Sequence, residues 1–134
     1  MKKNILFIPV LLMLFLVSIP VYSQTSKSDQ ILAYISRANV ALTNNNWNSA
    51  LESVNEAQKL AGQNIAAFEI IRIRSYYGKA EFLTAKRSLD SFYELNPNQS
   101  QITEVAPYAS MIDDEIQVKK DRIVELENRE KEAK

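Results

Sequence analysis

Two groupings of side chains have chemistry to offer: the acids Asp113-Asp114-Glu115 and the bases Arg72, Arg74, Lys79, Lys86 and Arg87. Acid–base catalysis or metal binding needs two carboxylates aimed at one point. Consecutive residues of a helix point about 100° apart, so the acidic triplet is read as a solvated helix face. The bases have Tyr76 and Tyr77 among them, and residues 72–87 carry a net charge of +4. Nucleic acid would want such a basic and aromatic mixture. The rest of the chain is acidic in balance, which suits an acidic peptide or an anionic envelope polymer better. A plainer reading pairs this segment with residues 104–134, whose net charge is −3. The chain has no His and no Cys. That removes imidazole and thiol catalysis, disulfides and the usual zinc ligands. A Gly-rich phosphate loop, a nucleophile elbow and metal-ligand spacing are also missing. Neither an enzymatic activity nor a cofactor or metal is therefore expected.

The elements that hold these residues are helical. A length of 134 residues allows one domain, and 2 Gly with 4 Pro leave little material for hairpins. Residues 1–23 read as a secretory signal peptide, with Lys2 and Lys3, an apolar run over 5–17 and a polar end containing Pro20. Val21 and Ser23 are small enough for peptidase cleavage between Ser23 and Gln24. As a helix the run would rise about 20 Å, short of the roughly 30 Å hydrocarbon core a membrane anchor must cross. Cleavage leaves 14 basic and 16 acidic residues, a net charge of −2, and no membrane span. The expected location is the periplasm or the cell exterior, with no nucleic-acid partner.

Residues 24–30 are a polar lead. A first helix is expected over 29–44, with Ile31, Tyr34, Ile35, Ala38, Ala41 and Leu42 on its apolar side. Asn44 to Asn46 form a turn, because Asn tolerates left-handed geometry. A second helix opens at Trp47, is capped by Asn46 and closes at Gly62. Its stripe runs through Ala50, Leu51, Val54, Ala57, Leu60 and Ala61. A third helix over 65–77, capped by Asn64 and closed by Gly78, is apolar on more than one face and should be the central one. A fourth over 81–95 carries Phe82, Ala85, Leu89, Phe92 and Tyr93 and stops at Asn96-Pro97-Asn98. A fifth starts between Thr103 and Tyr108, because Pro107 fits only a first turn. It caps the domain over 103–126 with Val105, Tyr108, Ile112 and Ile116, and 127–134 is a polar tail.

The pattern has a period of 35 residues, the mark of stacked helical hairpins. Trp47, Ala50, Val54, Ala57 and Gly62 in the first unit match Phe82, Ala85, Leu89, Phe92 and Pro97 in the second. With Tyr34, Ala38 and Tyr76 in the leading helices, residues 31–99 resemble two tetratricopeptide repeats. The chain departs from that family at Arg37 and Arg72, where Leu is usual, at Phe92, where a small residue is usual, and at Asn45 and Ala80, where Gly is usual. The resemblance implies a short right-handed solenoid of two antiparallel helix hairpins, with the fifth helix as a cap. It also implies a concave groove that holds segments of other proteins, lined here by Asn39, Leu42, Arg74 and Tyr77. Ile35 and Arg74 stand where chaperone-type members clamp a peptide's terminal carboxylate, so that clamp is not expected. The implied function is non-catalytic binding of another protein or peptide in the bacterial envelope. The alternatives are a structural subunit that forms a homodimer through its last helix, and the sensor part of an envelope receptor.

Overall fold

The computed structural model describes residues 25–133. The leader and its cut between Ser23 and Gln24 lie outside the described residues. Within them the chain is all-α, with α1 Lys27–Thr43, α2 Trp47–Ala61, α3 Ala66–Gly78, α4 Phe82–Glu94 and α5 Gln99–Glu132. No helix among the described residues is long and apolar enough to cross a membrane.

Local chemistry sets most of the ends. Ser26 and Asp29 cap α1 reciprocally, side chain to backbone in both directions. At the first hairpin Asn45 takes φ 55° and Asn46 accepts the Ser49 N–H. Gly62 closes α2 at φ 72°.

Several ends differ from the sequence reading. α1 begins at Lys27, inside the expected polar lead of residues 24–30, because the Ser26 cap starts the helix there. Asn64 does not cap α3: the N-cap is Ile65, with no side-chain bond, and the Asn64 amide donates instead to Glu69 at 2.7 Å. Gly78 is the last residue of α3, but the left-handed residue of that corner is Ala80 at φ 57°. Glycine is needed at 78 for space, since a Cβ there would lie 2.4 Å from Trp47 Cε2. α5 differs at both ends: it begins at Gln99 and not between Thr103 and Tyr108. Asn98 and Gln101 form a second reciprocal cap, and this outweighs Pro107 inside the helix. Pro107 is exposed, so water can reach the Thr103 carbonyl that loses its donor. The helix also continues through residues 127–132 as an exposed rod instead of ending near residue 126.

The helices pack as two hairpins and a cover. α1 pairs with α2, α3 pairs with α4, and α5 lies on both α3 and α4. α3 also touches α1 and α2. Thus α1, α3 and α5 make one layer, while α2 and α4 make the other without touching each other. α3 feeds two cores. Phe68 and Ile71 join Ala38, Leu42, Ala50, Val54 and Ala57 of the first hairpin. Ala66, Ile70 and Ile73 join Ala85, Leu89 and Phe92 of the second, under Val105 and Ile112 of α5. This is the doubly packed central helix its sequence indicates. Ala38, Ala50, Ala57 and Ala85 are fully buried, because a methyl side chain lets neighbouring axes close up.

Candidate functional site

The gap between α2 and α4 is a cleft of about 340 Å³ with α3 as its floor. Gln58 borders it from α2 and Asn64 from the following turn. Glu69, Arg72 and Tyr76 form the floor; Thr84, Arg87, Ser88 and Ser91 form the α4 wall. The wall has this composition because residues 84, 87, 88 and 91 recur at helical spacing and share one side of α4. The apolar Phe82, Ala85, Leu89 and Phe92 face the core on the other side.

Arg72 organises the floor. Its side chain is 14% exposed, and Nη1 donates to Glu69 Oε1 at 2.9 Å, where the carboxylate is 5% exposed. Nη1 also reaches Asn64 Oδ1 at 3.3 Å, and Nη2 donates to Asn55 Oδ1 at 3.1 Å and to Gln58 Oε1. A buried charge is tolerable only when paired and hydrogen-bonded, and here both charges are. The network ties α2 and its turn to α3. It also explains Arg72 where the resembled repeat has Leu: the side chain faces the open space between α2 and α4, not a neighbouring apolar helix. The signal was present in the sequence as an Arg on an apolar stripe with Glu69 three residues before it, but its partners on α2 were not legible.

The basic segment divides. Arg74 pairs with Glu104 at 3.7 Å and Lys86 with Asp113 at 2.9 Å, so two of these bases fasten α5 to the hairpin, as the plainer charge reading has it. The hydrogen bond that Lys86 Nζ donates to the Asp113 carboxylate raises the lysine pKa above its ordinary value of 10.5. Lys79 pairs locally with Glu81 at 2.9 Å. Arg87 has no ion-pair partner among the described residues and only donates to Thr84 Oγ1 at 3.3 Å. It leaves one unneutralised positive charge on the cleft wall.

The expected groove residues fall on the layer of α1, α3 and α5, and the structure does not bring them together as one open surface. Asn39 is exposed. Leu42 is 4% exposed and belongs to the first core. Tyr77 packs against Phe82, with ring centroids 5.5 Å apart, and edge-on against Tyr108 of α5 at 5.7 Å. Arg74 is engaged by Glu104. The repeat positions are structural: Tyr34 and Trp47 pack on the first core, Tyr76 on the second, and Val54, Leu89 and Phe82 are buried. Pro97 lies in the turn before α5, just ahead of the Asn98 cap. Among the described residues no three Asp or Glu side chains are grouped to hold a metal ion. Comparison with family models, curated proteins and solved structures finds no match.

Proposed function

We propose that this chain is an exported, non-catalytic scaffold built on tetratricopeptide-like hairpins, and that it holds an acidic segment of another protein in the cleft between α2 and α4. The observation that carries this reading is the contrast between floor and wall. Glu69 and Arg72 cancel on the floor and are locked by Asn55, Gln58 and Asn64. The wall offers Arg87 with the hydroxyls of Thr84 and Ser91. A rigid, polar, weakly positive cleft suits recognition by hydrogen bonds and one charge pair. The layer of Asn39, Leu42, Arg74 and Tyr77 offers less, because its large side chains are already used in packing. Export rests on the leader pattern of residues 1–23.

Affinity capture from envelope extract with residues 24–134 as bait tests this, using Arg87→Glu and Arg74→Glu as variants. The expected result is a discrete protein retained by the wild type and by Arg74→Glu and lost with Arg87→Glu. Loss with Arg74→Glu alone would move the site to the α1–α3–α5 layer.

A further inference from the structure

The apolar register of α5 outlasts its partners. Ile102, Val105, Ala109, Ile112 and Ile116 recur every three or four residues and face α3 and α4. Lys119 is next on that line, with Nζ 4.9 Å from the centroid of Phe82. The same line continues through Ile123 and Leu126, which are 57% and 53% exposed, and on to Ala133. The spacing is the heptad spacing of a helix that packs against another helix, yet residues 120–133 lie exposed, with no other helix among the described residues beside them.

Charge identifies the occupant. Residues 117–123 carry a net charge of +2, and residues 124–133 carry −2. We propose that residues 120–133 pair antiparallel with the same segment of a second copy of this chain, Ile123 lying opposite Leu126 of the second copy. In that register Lys119 faces Glu130 of the second copy, and Lys120 lies beside Glu127 of the second copy; the two-fold axis repeats both contacts. Arg122 comes near Arg129 of the second copy, whose charge is balanced by its own Glu125. A parallel copy is blocked on two counts. It would set like charge on like, and, followed along the same line, it would run into α3 and α4 where they already cover residues 102–116. An anionic lipid surface is not the occupant, because the segment has no net positive charge to draw it there.

Residues 24–134 contain no native cysteine, which makes the test clean. Sedimentation equilibrium should show a concentration-dependent dimer. Lys120→Glu and Glu127→Lys should each weaken it at least tenfold, and the double variant should restore it. Under oxidising conditions Lys119→Cys mixed with Glu130→Cys should give a cross-linked dimer, while neither alone should. Circular dichroism and Trp47 fluorescence of each variant should match the wild type, since the substituted residues are exposed. A monomer at every concentration, a dimer indifferent to the charge changes, or cross-linking of each cysteine variant with itself would overturn the proposal.

Discussion

Arg72 and Glu69 put the energetics of a buried charge pair to a direct test. Arg72→Leu restores the residue usual in the resembled repeat but strands the Glu69 carboxylate, and should cost about 3–5 kcal/mol. Adding Glu69→Met removes the stranded charge, and urea melts should then recover most of the loss. A single Arg72→Leu as stable as the wild type would mean that the network is not what holds the α2–α3 turn. Trp47 and Gly78 make a second test. Gly78→Ala drives a methyl into the indole and should cost about 1–3 kcal/mol, as overpacking does. In a Trp47→Val background that cost should largely vanish, giving a coupling energy of about 1 kcal/mol or more in a double-mutant cycle. Much of this scale was legible. Asn45, Asn46 and Gly62 announce themselves because each conformation follows from the residue's own chemistry. Gly78 reads as a stop signal in the sequence, because glycine serves both for left-handed backbone and for close approach. Only the position of Trp47 across the fold separates the two.

The helices of both hairpins were legible because each pairs a periodic stripe with a turn of Asn, Gly or Pro. The start of α5 is not legible from Pro107, because the Asn98–Gln101 cap outweighs the local cost of a proline inside the helix. The cover that α5 provides can be checked by truncation. Removing residues 121–134 takes away side chains that are exposed throughout 121–133, so the thermal midpoint of the monomer should hardly move. Removing everything from residue 103 uncovers Ile70, Ile73 and Phe92 and should cause aggregation. A soluble, fully helical chain ending at residue 102 would show that two hairpins stand without the cover. The Lys86–Asp113 bond should make this docking weakly sensitive to alkali. The lysine pKa is higher in the folded chain than in the unfolded one, so its contribution is complete below the ordinary value of 10.5 and disappears as pH rises through the folded-state value. Lys86 is 38% exposed and Asp113 60%, so solvent screening should keep the effect within about 0.5 kcal/mol. Lys86→Met should remove that part of the alkaline loss of stability measured by urea melts.

At the scale of the whole molecule, stacking explains both what was readable and what was not. A 35-residue period predicts paired helices, and the paired helices are there. Which surface stays open depends on how far α2 stands from α4 and on what α5 covers, and neither distance nor cover is written in a single repeat. Leu42 and Tyr77 were expected to line a groove from their place in the repeat, but they are engaged in packing. The polar side of α4, with Thr84, Arg87 and Ser91, became a candidate only once α2 was seen to leave it uncovered. The central claim, that this uncovered cleft holds a partner protein, is tested most directly by photo-cross-linking in cells. A benzophenone amino acid at Ser91 places the reactive group on the cleft wall, and the same group at Asp90 places it on the exposed side of α4. The account predicts one discrete adduct from Ser91, none from Asp90, and loss of the Ser91 adduct when Arg87→Glu is added. Equal adducts from both positions, or a Ser91 adduct unchanged by Arg87→Glu, would contradict it.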